Sequence, residues 1–338
     1  MDKIKVCVLL GGISTERNIS LVTGKCILDN LDKEKYIVYA VDTADFSKNK
    51  EEIIKNTPLV DSHKPIIEEL FNSDYIKSPD ILFNKESEYF PDICYIALHG
   101  KGGEDGAIQG LLETLEIKYT GSNVFASSIA MNKSYTKYVL SSCGVKVPLS
   151  IDINTKLGYD ISDIKNKITT YPVYVKASNQ GSSIGVIRVE EEDELENTIN
   201  SVSQYDNLVL IEEFIKGTEI TVGVIGNDTA LPTIEIVPST GEYDLTSKYM
   251  PGLTNEICPA RISSDLETKA KEIALKCHNV LCCSGISRTD MIIQNEDIYV
   301  LEVNTIPGMT PTSLIPIAAK EYGIKYPDLL NVIINSAL

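Results

Sequence analysis

Apolar positions along this chain repeat in two ways, and the alternation between them outlines the fold. Strand-like apolar runs at residues 4–10, 36–41 and 93–98 are separated by stretches whose apolar residues recur every three to four positions. The helix after the third run places Ile108, Leu111, Leu112 and Leu115 on one face. Strands alternating with helices predict a parallel sheet, with ligands at the C-terminal ends of its strands. Gly11-Gly12 and His99-Gly100 stand at two such ends. Residues 44–89 are polar, weakly periodic and interrupted by prolines, and read as an elaboration of this first unit.

The pattern changes near Thr120-Gly121. Helical stretches over 122–142 lead to strands at 148–153, 172–176, 185–189 and 208–212, with helices near 160–169 and 191–203. A last part opens with strands at 219–226 and 230–237. The next 22 positions, 239–260, carry prolines and glycines and read as a long functional loop. A helix then keeps Leu266, Ala270, Ile273, Ala274, Cys277, Val280 and Leu281 on one face. Two strands, 285–293 and 297–303, and two terminal helices near 313–321 and 327–336 complete the chain. The expected division is 1–120, 121–211 and 212–338.

Composition changes this picture little, but charge narrows it. The 338 residues hold 31 Lys and Arg against 48 Asp and Glu, a net charge of −17. That balance disfavours a nucleic-acid partner, which needs excess basic charge. No apolar run approaches a membrane span. The first residues show no signal-peptide cleavage pattern. Eight scattered cysteines without a Cys-x-x-Cys pair fit free thiols in a reducing cytosol, and three histidines exclude a histidine-rich metal site.

The strongest chemical signal is the final hairpin. A turn centred on residue 296 makes opposed residues sum to about 592, so Asp290 faces Glu302 and Arg288 faces Asn304. Two directly opposed carboxylates repel unless water or a cation intervenes, and oxygen donors of this type suit a hard divalent ion such as Mg²⁺. A solvent-facing sheet surface is the alternative. A second signal is Lys176 followed by Gln180-Gly-Ser-Ser-Ile-Gly185, a Gly/Ser turn able to cradle phosphate. Lys133 is a further candidate cation. The loops at 99–106 and 11–16, with His99 and Glu16, suit a small polar ligand. Asn304-Thr-Ile-Pro-Gly308 leads towards a helix N-terminus that favours a carboxylate.

Together these features equip an ATP-dependent enzyme with a small anionic substrate. At this point the chain resembles the D-alanine–D-alanine ligases of the ATP-grasp superfamily. The resemblance rests on His-Gly-x-x-Gly-Glu-Asp-Gly-x-Ile-Gln-Gly at 99–110 and on Arg288-x-Asp290 followed by Glu302-x-Asn304-Thr-x-Pro-Gly308. Blocks at 11–17, 175–185 and 243–249 agree and follow the family's order. Ala177, Thr289 and Leu245 depart from the usual pattern, and residues 44–90 match no block.

The resemblance implies an α/β fold, a Rossmann-like parallel-sheet domain followed by a two-domain ATP-grasp fold of α+β character. It implies that Lys133 and Lys176 contact ATP phosphates, with Ser182 and Ser183 in the loop above them. It puts Glu212 and Ile215 at the adenine and Glu219 at the ribose. Asp290, Glu302 and Asn304 would hold two Mg²⁺ or Mn²⁺ ions. Glu16 and His99 would meet the first D-alanine, and Ser313, Leu314 and Lys248 the second. Arg288 and the Gly308 N–H would stabilise the oxyanion, and Tyr249, Glu16 and Ser182 would form a hydrogen-bonded triad. The implied reaction joins two D-alanines through a D-alanyl phosphate and supplies peptidoglycan precursors, in a cytoplasmic homodimer. The alternatives are a sister enzyme joining D-alanine to D-lactate or D-serine, or another ATP-grasp carboxylate–amine ligase.

Overall fold

The computed structural model describes residues 3–57, 60–181, 183–238 and 254–338. Three sheets organise them. The first is parallel, in the order β2-β1-β3-β4, from β1 (Ile4–Leu10), β2 (Tyr36–Asp42), β3 (Ile93–Ile96) and β4 (Lys118–Tyr119). Val6 to Leu10 are all buried, which explains their unbroken apolar run, because a central parallel strand is covered on both faces. Helix α1 (Arg17–Asn30) follows β1. Short helices α2 (Lys50–Asn56) and α3 (Lys64–Phe71) belong to the elaboration, and α4 (Ala107–Thr114) follows β3. The elaboration also extends the sheet edge: Ala40 N–H donates to the Tyr75 carbonyl and Lys77 N–H to the Ala40 carbonyl, both at 2.8 Å.

Helices α5 (Val124–Met131) and α6 (Lys133–Ser142) are separated at Asn132, whose extended backbone and side-chain carbonyl cap the second helix. The second sheet is antiparallel, in the order β5-β8-β6-β7, from β5 (Ser150–Asn154), β6 (Val173–Ala177), β7 (Val186–Val189) and β8 (Leu208–Glu213). Helices α7 (Ile161–Lys167) and α8 (Leu195–Val202) cover it through Ile164, Leu195, Ile199 and Val202.

The third sheet is antiparallel in the order β12-β11-β9-β13-β14, with β10 beside β9. Its strands are β9 (Thr218–Ile225), β10 (Thr229–Ala230), β11 (Ile234–Pro238), β12 (Thr254–Ile257), β13 (Ile286–Gln294) and β14 (Asp297–Asn304). Two expectations change here. The single strand expected over 230–237 divides, because Pro232 lacks the N–H a ladder needs. Residues 254–257, expected in the long loop, instead pair with β11.

Helix α9 (Ser264–Val280) packs on one face of this sheet. Leu140 of α6 joins the same core as Val222, Ala270, Ala274, Met291 and Val300, with Ile129 of α5 against it. The boundary expected at 120/121 assigned α5 and α6 to the middle part, whereas their apolar faces serve the third sheet. The opposite face meets α10 (Leu314–Tyr322) and α11 (Tyr326–Asn335). These two helices also join the core of the first sheet, since Ile234, Ile315, Leu330, Val8 and Leu10 form one cluster. One core therefore ties the first sheet to the third, and the ligand loops of both are held together.

Gly24 shows how close this packing is. A Cβ there would lie 2.8 Å from the Leu10 Cβ. Alanine would gain about 1 kcal/mol of helix propensity, but overpacking costs about 1–3 kcal/mol, and the Leu10 Cβ is fixed to a central strand. Gly24→Ala is expected to lower the urea midpoint of unfolding. An unchanged or raised midpoint would show that α1 can move away from β1 freely.

Candidate active site

The hairpin pairs Arg288 with Asn304 and Asp290 with Glu302, as expected, but by a different route. Gln294 opposes Asp297 across the two-residue turn Asn295-Glu296, and Asn295 takes a positive φ of 58°. Near the turn, opposed numbers therefore sum to 591. A β-bulge between Asp290 and Met291 inserts Leu301 as an extra residue and restores the sum of 592 at the site. The Leu301 carbonyl at this bulge accepts a hydrogen bond from Lys137 Nζ at 3.1 Å.

The two facing carboxylates are held by separate partners. Arg288 donates to both oxygens of Asp290 at 2.9 and 2.8 Å, Thr221 Oγ1 donates at 2.6 Å, and Asn304 Nδ2 at 3.2 Å. Glu302 forms an ion pair with Lys133 at 3.1 Å. Lys133 also donates to the Gln180 carbonyl at 2.7 Å, tying the carboxylate pair to the Gly/Ser turn. Asn132, the cap of α6, meets the same turn by donating to Asn179 Oδ1 at 2.7 Å.

Two cavities flank this pair. The larger, about 450 Å³, lies between the second and third sheets. It brings together Lys133, Lys176, Ser183, Glu212, Ile215, Glu219, Asp290 and Glu302, and Tyr174, Phe214 and Arg188 add a wall that the sequence reading missed. Lys176 and Lys137 both pair with Glu212, at 2.5 and 2.7 Å, in a buried triad. Burial alone pushes the Glu212 carboxyl up, but the two ammonium groups outweigh it and hold it below its ordinary value. Lys137 was also missed. Its signal was its place one helical turn beyond Lys133, on the same face of α6.

The smaller cavity, about 240 Å³, collects Glu16, His99, Glu104, Arg288, Glu302, Asn304, Gly308, Ser313 and Leu314. Glu302 lines both cavities. Buried Glu16 is packed tightly: a Cβ on Gly100 would lie 2.5 Å from its Oε2, and one on Gly181 2.9 Å. Its carboxylate thus lies between the 99–106 loop and the Gly/Ser turn. Ser14 Oγ donates to the His99 carbonyl at 2.6 Å, and a buried Arg17–Asp42 ion pair at 2.6 Å anchors the base of the 11–16 loop. Ser313 heads α10, and its Oγ accepts from Thr310 N–H at 3.1 Å. Burial lowers the His99 imidazole to about 4, with Arg288 adding to the effect, so His99 is neutral at pH 7. Burial pushes Glu104 up to about 8, the charge of Glu16 acting the same way. Ser182, Lys248 and Tyr249 lie outside the described residues.

Comparison with known proteins identifies the family. Residues 5–122 match the family model described as D-ala D-ala ligase N-terminus, and residues 152–335 the one described as D-ala D-ala ligase C-terminus. The chain belongs to the D-alanine–D-alanine ligase family. A D-alanine–D-alanine ligase from Syntrophobacter fumaroxidans is 40% identical, covering 100% of this chain and 98% of that protein. The ligase of Bacillus anthracis complexed with ATP superposes with a TM-score of 0.75 at 30% identity, covering 99% and 97% of the two chains. The VanG D-Ala:D-Ser ligase of Enterococcus faecalis gives 0.81 at 28% identity over 100% of both. The fold of this family is the α/β, ATP-grasp arrangement expected from the sequence, and the chain is an ATP-dependent ligase.

The Glu104 environment yields a pH test. An unfolded Glu titrates near 4.3, so between about 4.3 and 8 the folded ligase holds a proton that the unfolded chain has lost. Stability therefore falls as pH rises through that window and levels off above it. Glu104→Gln removes this slope. Its stability relative to wild type should be higher at pH 8 than at pH 5, measured by urea unfolding. A difference that does not vary with pH would contradict the burial argument.

Proposed function

We infer that the chain ligates two D-alanine molecules to D-alanyl-D-alanine, with ATP converted to ADP and phosphate, through a D-alanyl phosphate. The observation that carries this reading is that Glu302 is a wall of both cavities. A phosphoryl group leaving the larger cavity and a carboxylate held in the smaller one meet at that residue. Lys133 and Lys176 line the larger cavity and supply local positive charge for ATP phosphates. In this reading Ser182 and Ser183 close over the phosphates, Glu212 and Ile215 border the adenine, and Glu219 faces the ribose.

Among the described residues no cluster of three or more His, Cys, Asp or Glu side chains could hold a metal by itself. The opposed carboxylates with the Asn304 amide are instead an oxygen-only set that suits a hard ion completing its shell with substrate phosphates. Asp290, Glu302 and Asn304 would hold two Mg²⁺ or Mn²⁺ ions, which when bound neutralise charge on the transferring phosphoryl oxygens. The chain's own residues do the remainder. Glu16 and neutral His99 orient the first D-alanine by its ammonium. Ser313, the N-terminal end of α10 at Leu314, and Lys248 hold the carboxylate of the second. Arg288 and the Gly308 N–H meet the oxyanion as the amine attacks. Tyr249 and Ser182 join Glu16 in linking the 239–260 segment to the site, whose closure excludes water from the acylphosphate.

Peptidoglycan precursor synthesis is the process this product serves. The reading also places the enzyme in the cytoplasm as a homodimer. Among the described residues no helix is long and apolar enough to cross a membrane. The division into 1–120, 121–211 and 212–338 is kept for the ligand sites, with α5 and α6 packing on the third part.

Incubation with ATP and D-alanine should give ADP, phosphate and dipeptide in equal amounts. Preferred incorporation of D-serine or D-lactate at neutral pH would assign the chain to a sister activity instead. Glu302→Ala should lower turnover by about 10²–10³-fold or more. Retained turnover would remove Glu302 from the reaction centre.

A further inference from the structure

One carboxylate in the smaller cavity has no part in the roles above. Glu256 lies on β12, the edge strand of the third sheet, opposite Ile236. Ile234, two residues earlier on β11, opposes Thr221, which opposes Asp290, which opposes Glu302. Residues two apart share a face, so Glu256 is on the same side of the sheet as the carboxylate pair. It lines the cavity with Arg288, Gly308, Thr310, Ser313 and Leu314. Among the described residues no hydrogen bond or salt bridge engages its carboxylate. Burial pushes its pKa up, and the Arg288 guanidinium opposes this from a distance.

The other carboxylates of the cavity are placed differently. Glu302 is paired with Lys133, Glu104 accepts from the Gly100 N–H at 2.7 Å, and Glu16 sits between the 99–106 loop of the first sheet and the Gly/Ser turn of the second. The cavity thus has two acidic ends. Glu16 and Glu104 form one, from the loops of the first sheet. Glu256 forms the other, on the wall shared with Ser313. Two amino-acid substrates bring two ammonium groups, and Glu16 accounts for one of them.

We propose that Glu256 binds the ammonium of the acceptor amino acid, takes up the proton that the nitrogen must give up before it attacks, and so selects an amino acid over a hydroxy acid at the second position. A half-buried carboxylate gains from a cationic partner, whereas the hydroxyl of a hydroxy acid leaves its charge uncompensated. This inference rests on the ligase reading, and the test separates the two. Wild type and Glu256→Gln are assayed with ATP, D-alanine and a D-alanine/D-lactate acceptor mixture at pH 7. Glu256→Gln should raise KM for the acceptor D-alanine by about 10-fold or more and shift products towards the depsipeptide. KM for ATP and for the first D-alanine should stay unchanged. Glu256→Asp, which keeps the charge, should retain the wild-type product ratio, and it carries the comparison with Glu256→Ala if the Gln variant fails to fold. Wild type making no dipeptide would overturn the ligase reading itself. Wild type making dipeptide while Glu256→Gln keeps both acceptor KM and product ratio would overturn the role of Glu256 alone.

Discussion

The repulsion between Asp290 and Glu302 is the constraint around which the rest of the site is arranged. Two carboxylates directly opposed on adjacent strands destabilise a hairpin unless positive charge reaches them. Here it comes from separate places: Arg288 on the same strand, and Lys133 at the head of α6. Lys137, on the next turn of that helix, holds the bulge carbonyl that sets the two carboxylates face to face. The packing of α6 on the third sheet is therefore also an electrostatic requirement. Its Asn132 cap and Lys133 extend the same connection to the Gly/Ser turn of the second sheet.

This arrangement explains how a chain with a net charge of −17 can hold a polyanion. The overall field is unfavourable, but it is screened over about 8–10 Å at moderate salt. Inside the larger cavity, Lys133 and Lys176 line the ligand space, so in the proposed reading they would act on the polyanion at short range. The acidic partners that hold these lysines, Glu302 and Glu212, are the same residues that border the ligand space. In the proposed reading, the acidic residues of the smaller cavity serve the opposite need of meeting substrate ammonium groups.

Much of the site was legible because it depends on local spacing. The alternation that puts Arg288 and Asp290 on one face, and Glu302 and Asn304 on the facing strand, can be counted along the chain. The count worked through two compensating features: the turn is tighter than expected, and the Leu301 bulge returns the register. A bulge leaves little sequence signal, so this correction could not be read in advance. Lys137 was not singled out and Glu104 was noted only as part of the 99–106 loop, because a buried lysine and a protonated carboxyl depend on neighbours far away in sequence. Glu256 was hidden for a related reason. It was assigned to a loop, and only the pairing of β12 with β11 brings it to the ligand face. The packing of α5 and α6 on the third sheet is likewise tertiary, since their apolar faces do not say which sheet they cover.

The central claim is that a phosphoryl group passes from nucleotide to substrate carboxylate across the wall that the two cavities share. Turnover with D-alanine labelled with ¹⁸O in its carboxylate tests it most directly, by mass analysis of the inorganic phosphate released. Transfer to the carboxylate makes a P–O bond to substrate oxygen, and attack by the amine then breaks the C–O bond. The account predicts one ¹⁸O atom in each phosphate. Phosphate free of label would mean that the phosphoryl group never joins the substrate, and would contradict the account.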